Sequence, residues 1–144
     1  MIINRGDILE SIGRYLLWSH ALRSKKPEFE AQVKSLEALI ADQRVLIIGA
    51  IRQEVLSGYS DLNKFETLKA KLSYFENTPI LDEDYITAAK FYNECRQNGV
   101  QGSHIDLLIC AVAVRLNVVI FTSDKDFGFY QQYLPINLYS TTTA

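Results

Sequence analysis

Acidic residues in three segments of the chain could take part in chemistry. Asp124 and Asp126 follow Val118–Thr122, an apolar run that predicts a strand buried on both faces of a parallel sheet. Ligands of open parallel sheets bind at the carboxyl ends of the strands, so these acids stand where a site is expected. A polar turn explains the same residues, because Asp and Ser are common in turns and at helix N-termini.

Asp106 lies at the start of a predicted helix, Ile105–Leu116, which is apolar on nearly every side and therefore belongs in the core. Ser103 with Asp106 three residues later fits a capping box, in which the carboxylate serves backbone N–H groups. A carboxylate at the point where a helix enters the core also needs a partner or a cation. Both interpretations of Asp106 stay open.

Glu54 lies on a short predicted helix, Ala50–Ser57, which ends at Gly58. On its own it is typical of a solvated residue or of a partner for Arg52. Carboxylates gathered within a few ångströms, however, are stable only if some are protonated or a hard cation neutralises them. Oxygen-only ligands favour Mg²⁺ or Mn²⁺ over zinc, and such a metal polarises a water for attack on a phosphodiester.

The elements that must position these acids alternate between helices and short apolar strands. This order predicts an α/β layer fold with a mainly parallel sheet. Further short strands are predicted at Val45–Ile48, Thr78–Leu81 and Ile136–Tyr139, whereas residues 6–23 have a helical pattern.

Composition narrows the class of protein. The 144 residues fit one domain, and a hydrophobic fraction of 48% is enough for a core. A net charge of -2 argues against holding long nucleic acid by charge alone, but allows a substrate of a few nucleotides. The sequence has no membrane-length apolar run and no secretory signal, and its cysteines, Cys95 and Cys110, are expected to be reduced and buried, as in a cytoplasmic protein.

Three segments of the chain resemble a PIN-domain ribonuclease of the VapC toxin type: Ile51–Gly58, Gln101–Ala113 and Ile120–Phe127. They come in the family's order, each on the expected element, and the resemblance covers about residues 18–139. It implies a three-layer α/β/α domain, usually dimeric, that cuts RNA with Mg²⁺ or Mn²⁺ and is inhibited by a cognate antitoxin. It also implies which residues form the acidic metal site: Glu54, Asp106 and Asp124, with Asp126 as an additional one.

The chain departs from this family at the first strand, which in the family ends in an Asp that is a central metal ligand. Alignment on Trp18 puts Arg14 in place of that acid, and a guanidinium cannot ligate a metal. Asn4 and Asp7 are the other candidates, and a shifted reading frame before Trp18 would also account for the missing motif. We therefore expect a single domain, 1–144, with atypical residues 1–17 and a first strand that is altered or missing.

Two functions stay open at this point. The first is a metal-dependent endoribonuclease, in which Asp106 and Asp124 hold the metal and Glu54 helps coordinate or orient the attacking water. The second is a catalytically inactive PIN-like module that dimerises or captures an antitoxin, with an Arg or Lys of the partner in its acidic groove. A structural domain whose acids are only caps and turns is a third interpretation. Loss of activity on Asp106→Asn separates the enzyme from the binding module.

Overall fold

The computed structural model describes residues 16–18, 38, 41, 45–75, 77–122 and 124–139. Within these ranges the strands are β1 (Leu16–Trp18), β2 (Val45–Leu46) and β3 (Val119–Phe121). The helices are α1 (Gly49–Ser57), α2 (Leu62–Leu72), α3 (Asp82–Gln97), α4 (His104–Leu116) and α5 (Asp126–Gln131). None of these helices combines the length and apolarity needed to cross a membrane.

The three strands form a parallel sheet with β1 in the middle, in the order β2–β1–β3. Leu16 pairs with Val45 on one side and with Val119 on the other, and Trp18 pairs with Phe121. All three residues of β3 are buried, as expected for a strand that is covered on both faces. The predicted α/β fold with a mainly parallel sheet is confirmed.

The central strand corrects two expectations about the N-terminal sequence. Residues 16–18 are a strand and not part of a helix over 6–23, and the sheet does not lack its central strand. The apolar run Leu16–Trp18 suits this place, because a strand in the middle of a parallel sheet pairs on both sides. The three candidates for the first acid lie outside the described residues: Arg14, Asn4 and Asp7.

The predicted strand Thr78–Leu81 is wrong. Its neighbourhood contributes only an isolated parallel bridge between Asn77 and Ile47. Pro79 has no N–H to donate to a neighbouring strand, and its carbonyl accepts a hydrogen bond of 2.9 Å from Arg115. The segment therefore serves as a connection into α3.

The predicted last strand, Ile136–Tyr139, is reduced to one parallel bridge between Leu138 and Ile120. Two backbone hydrogen bonds of 2.9 Å flank that bridge: Ile120 donates to Asn137, and Tyr139 donates to Ile120. The segment thus lies along β3 as predicted, but over a shorter length.

α4 is the core helix, as its sequence predicted. Ser103 is its N-cap, and Asn117 ends it in the left-handed conformation with φ of 55°. Both α3 and β3 pack against it. Six of its residues are buried: Leu107, Ile109, Cys110, Ala111, Val112 and Ala113.

The two cysteines lie in this core. Cys95 on α3 and Cys110 on α4 are free thiols and are fully buried, as expected from the sequence. Burial raises the pKa of Cys110, so its thiol stays neutral and packs as a small apolar group.

A buried ion pair joins the first turn of α3 to the last turn of α4. Nε of Arg115 donates a hydrogen bond of 2.7 Å to Oδ1 of Asp84, and the N–H of Leu81 donates one of 2.8 Å to Oδ2. Asp84 is only 1% exposed. Burial alone would raise the pKa of Asp84, but the bonds from Arg115 and Leu81 and the charge of Arg115 hold it below its ordinary value.

Candidate metal centre

Three carboxylates meet where β3 ends and α4 begins. Asp106, Asp124 and Asp126 each contribute one oxygen to a group in which all oxygens lie within 4.8 Å of one another. Asp106 and Asp124 are half-buried, and Asp126 is exposed. The structure thus brings together three of the four acids that the sequence analysis singled out.

The loop after β3 positions two of these acids through its own hydrogen bonds. The N–H of Asp124 donates to Oγ1 of Thr122 at 3.0 Å, and the N–H of Asp126 donates to Oδ1 of Asp124 at 2.9 Å. Such side-chain-to-backbone bonds are typical of Asx turns. The interpretation as a polar turn is therefore correct, and the same turn presents both carboxylates at the edge of the sheet.

The first turn of α4 positions Asp106. Its N–H donates to Oγ of Ser103 at 3.1 Å, which is the N-cap bond that the sequence pattern predicted. Gly102 precedes the cap, and a Cβ at this position would lie 2.4 Å from the fully buried side chain of Leu107. Because that side chain has little room to move, the close approach at this turn requires glycine.

Tyr130 is a site residue that the sequence analysis missed. It lies on α5 with 1% of its surface exposed, and its hydroxyl donates a hydrogen bond of 2.8 Å to Oδ2 of Asp106. A signal was present, because Phe127 and Tyr130 are three residues apart on one helix face and a buried tyrosine hydroxyl needs a partner. Tyr130 therefore fixes the orientation of the Asp106 carboxylate.

The charges of the site act on Asp106. Burial raises the pKa of Asp106 above its ordinary value, hydrogen bonds with Tyr130 and Ser103 oppose that rise, and the charges of Asp124 and Glu54 add to it. Glu54, half-buried on α1, thus lies within electrostatic reach of Asp106 but outside the three-carboxylate group. Like charges at this spacing favour the binding of a cation.

Arg52 positions the helix that carries Glu54. Its guanidinium donates to Oδ1 of Asn77 at 2.9 Å, to the carbonyl of Leu72 at 2.8 Å and to the carbonyl of Phe75. These bonds join α1 to the end of α2 and to the segment that follows it. Arg52 therefore does more than the sequence suggested, where it was considered only as a partner for Glu54.

The three carboxylates fit a hard divalent cation. Two oxygens on opposite sides of a Mg²⁺ ion lie about 4.2 Å apart, so oxygens within 4.8 Å need only a small closure to bind one ion. The donor atoms are all carboxylate oxygens, which favour Mg²⁺ or Mn²⁺.

The carboxyl end of β1 adjoins the site across the sheet. Trp18 is the last described residue of β1 and pairs with Phe121, three residues before Asp124. Arg14, which the alignment puts in place of the family's first acid, lies before the described residues of β1.

Comparison with solved structures gives similar folds at low sequence identity. The chain is similar to FitAcB from Neisseria gonorrhoeae, with a TM-score of 0.66 and 18% identity over 88% of this chain and 97% of that one. It is similar to VapBC2 from Rickettsia felis, with a TM-score of 0.64 and 19% identity over 87% of this chain and 96% of that one. It is also similar to VapBC-1 from nontypeable Haemophilus influenzae, with a TM-score of 0.66 and 16% identity over 90% and 98%.

Comparison of the sequence with curated proteins gives no significant match. The model of the PIN domain family, in contrast, matches residues 17–131. This match starts inside β1 and extends to the end of α5, so it contains the three carboxylates and Tyr130. The chain therefore belongs to the PIN domain family.

Proposed function

We propose that this chain is a metal-dependent endoribonuclease, the toxin of a type II toxin–antitoxin pair, which hydrolyses RNA phosphodiester bonds with Mg²⁺ or Mn²⁺. The observation that carries the proposal is the group of three carboxylates at the carboxyl end of a parallel sheet in a PIN domain. Burial and the charges of Asp124 and Glu54 raise the pKa of Asp106, and a hard cation would relieve this repulsion.

Each acid has a role that follows from its surroundings. Asp106, oriented by Tyr130, and Asp124, oriented by its turn, hold the metal, and Asp126 is an additional ligand at the exposed side. Glu54 coordinates or orients the attacking water from α1. When bound, the metal supplies polarisation of that water and stabilises charge on the phosphate.

The substrate and partners follow the same reasoning. RNA enters as a short segment, because a chain with a net charge of -2 cannot hold a long duplex by charge alone. The similarity to FitAcB and VapBC structures and the VapC-type motifs support a cognate antitoxin as the protein partner. The chain forms a homodimer.

Cleavage of a labelled single-stranded RNA by the purified chain tests the proposal. We expect cleavage with Mn²⁺ or Mg²⁺, no cleavage with EDTA, and a loss of about 100-fold or more in Asp106→Asn. Asp61→Asn is the matched control, because Asp61 is an exposed N-cap on α2 and Asn caps equally well. Equal rates in the wild type and in Asp106→Asn would attribute the cleavage to a contaminant and overturn the proposal.

A catalytically inactive binding module is the second candidate, and the composition of β1 is the observation that favours it. The described residues of this central strand, Leu16–Trp18, include no carboxylate, whereas the resemblance implies an acid at the end of the first strand. In this function the acidic group takes an Arg or Lys of the antitoxin. A folded chain that binds the antitoxin but cleaves no RNA with either metal would support it.

A further inference from the structure

Two exposed aromatic side chains lie on and just after the helix that carries the exposed carboxylate of the site. Phe129 on α5 is 52% exposed, and Tyr133, in the turn that follows α5, is 38% exposed. Among the described residues neither ring stacks on another, whereas the buried rings of Phe127 and Tyr130 pack edge to face with 5.3 Å between their centroids. The inner side of α5 thus supplies its packing, and the two outer rings face solvent.

The two rings lie on the same side of the helix as Asp126. Successive residues of an α-helix are rotated by about 100°, so Asp126, Phe129 and Tyr133 fall within about 60° of one another. The helical turn extends far enough to include Tyr133. Its N–H donates to the carbonyl of Tyr130 at 3.0 Å, and the N–H of Leu134 donates to the same carbonyl at 2.9 Å. We call Asp126, Phe129 and Tyr133 the α5 outer strip.

The α5 outer strip is continuous with the candidate metal centre at its first residue. Asp126 belongs to the three-carboxylate group, and Phe129 follows it by about one helical turn, a rise of about 4.5 Å along the axis. Tyr130 adjoins Asp126 on the other side and donates its hydroxyl to Asp106. A nucleotide next to a phosphate on the metal therefore comes within reach of the two rings.

The chemistry of the strip favours a nucleobase as its occupant. The carboxylates of the site repel further anions, so neither a second phosphate nor an acidic peptide gains affinity here. A nucleobase is uncharged and planar, and stacking of bases on aromatic side chains is a main source of affinity for single-stranded nucleic acid. A chain with a net charge of -2 gains little affinity for RNA from charge, and stacking supplies affinity without it.

We infer that Phe129 and Tyr133 form a stacking surface for the bases of single-stranded RNA next to the phosphate that is cut. The inference rests on the proposed ribonuclease function and adds how the substrate is held beside the metal. The rings contact a base and not the metal, so they govern the affinity for RNA and leave the affinity for Mn²⁺ unchanged. Double-stranded RNA cannot stack there, because its bases are already stacked inside the duplex.

Fluorescence titration with a short oligouridine that carries one 2-aminopurine tests the inference. Uridines stack weakly on their neighbours, so the free probe is bright, and stacking on a protein ring quenches it. The titrations use the Asp106→Asn background, in which the proposed function predicts little cleavage, so that the RNA stays intact. We expect quenching on binding. Phe129→Leu should lose most of this quenching and bind the RNA about fivefold more weakly or worse.

An abasic RNA of the same length is the matched control on the side of the ligand, because it keeps every phosphate and removes every base. Phe129→Leu and Tyr133→Leu should not change its affinity, measured by the anisotropy of an end label, since no base is present to stack. Phe129→Trp, which keeps an aromatic ring, should bind the 2-aminopurine RNA like the background. Tyr74→Leu is the control on the side of the protein, because Tyr74 is 88% exposed but follows α2.

Folding and metal binding are checked on the same substitution in the otherwise wild-type chain. Circular dichroism reports whether Phe129→Leu folds, and calorimetric titration should give it the Mn²⁺ affinity of the wild type. If Phe129→Leu does not fold, Tyr133→Leu decides, because it removes the second ring of the same strip.

The outcomes that would overturn the inference differ from those that would overturn the proposed function. A folded Phe129→Leu that loses affinity equally for both RNAs, or for neither, would show that its ring does not stack on a base. A chain that binds no RNA would remove both the stacking surface and the ribonuclease. Cleavage by the wild type is measured separately, so a chain that stacks bases but cuts no RNA keeps the stacking surface and loses the enzyme.

Discussion

The hydroxyl of Tyr130 lies 2.8 Å from Oδ2 of Asp106 and donates a hydrogen bond to it from a fully buried position. One oxygen of the Asp106 carboxylate is thereby occupied, and the carboxylate cannot rotate freely. Outer partners of this kind set the orientation of metal ligands in many proteins. The bond links α5 to α4 across the proposed metal site.

Removing this hydroxyl should weaken metal binding without unfolding the protein. We expect Tyr130→Phe to lower the affinity for Mn²⁺ by about 10-fold or more, because Asp106 loses the bond that orients it. Calorimetric titration with Mn²⁺ measures this. Tyr133→Phe, three residues later and more exposed, is the control and should bind like the wild type. Equal affinities for Mn²⁺ in the two variants would mean that Tyr130 contributes packing but does not orient Asp106.

Neutralising Asp124 should leave the stability of the metal-free protein intact but weaken its binding of metal. Asp124→Asn keeps an oxygen that can accept from the N–H of Asp126, but removes one charge that raises the pKa of Asp106. We expect the metal-free variant to be as stable as the wild type or more stable, by up to about 1 kcal/mol.

The same variant should lose its response to metal. At about 100 times the dissociation constant, Mn²⁺ stabilises a single-site protein by about 2.7 kcal/mol, and Asp124→Asn should lose most of this gain. Thermal unfolding with and without Mn²⁺ measures both quantities. A full metal-induced shift in the variant would exclude Asp124 as a ligand.

The ion pair of Asp84 and Arg115 should contribute stability in a way that depends on pH. The pKa of Asp84 is lower in the folded chain than its ordinary value, so the folded state favours the ionised form. This contribution is present above the ordinary pKa, about 3.9, and is lost as the pH falls through the lower folded value.

Asp84→Asn tests this direction of the pH dependence of stability. At pH 7 we expect a loss of about 1–3 kcal/mol in the free energy of unfolding, since a buried acceptor and one partner of an ion pair are replaced. Near pH 3 the gap to the wild type should narrow. Urea unfolding at both pH values measures it, and Glu66→Gln, from an exposed pair with Lys69, should change stability by less than about 1 kcal/mol. A gap that widens on acidification would contradict the assigned direction.

Placing an acid at the last described residue of β1 should strengthen the metal site. We expect Trp18→Asp to raise the affinity for Mn²⁺ and, in an inactive chain, to produce RNA cleavage, because Trp18 pairs with Phe121, three residues before Asp124. Trp18→Asn, which removes the same ring but adds no charge, is the matched control. A folded Trp18→Asp that binds Mn²⁺ no better than Trp18→Asn would show that this position does not contact the metal.

The elements of the core could be predicted from sequence because their patterns are local. Ile105–Leu116 was predicted as the core helix and is α4, His104–Leu116, while Val118–Thr122 was predicted as a buried strand and contains β3. Both are continuous apolar runs, and Asn117 between them marks the end of the helix. The acids next to these runs were found for the same reason.

The parts that sequence missed depend on residues far apart in the chain. Leu16–Trp18 fits a helical period as well as a strand, and only pairing with β2 and β3 decides between them. The bond from Tyr130 to Asp106 joins two helices, so the local pattern that indicates a buried Tyr130 does not identify its partner. The carbonyl of Pro79 likewise accepts a hydrogen bond from Arg115 on a helix distant in sequence.

The register of β1 on β3 has a consequence for biosynthesis. Leu16 meets Val119 about 100 residues later in the chain, and the acids of the site follow β3. Contacts this distant in sequence form late, so a nascent chain on the ribosome cannot complete the sheet until β3 has emerged. The three carboxylates therefore cannot gather before the loop after β3 and the start of α5 have been synthesised.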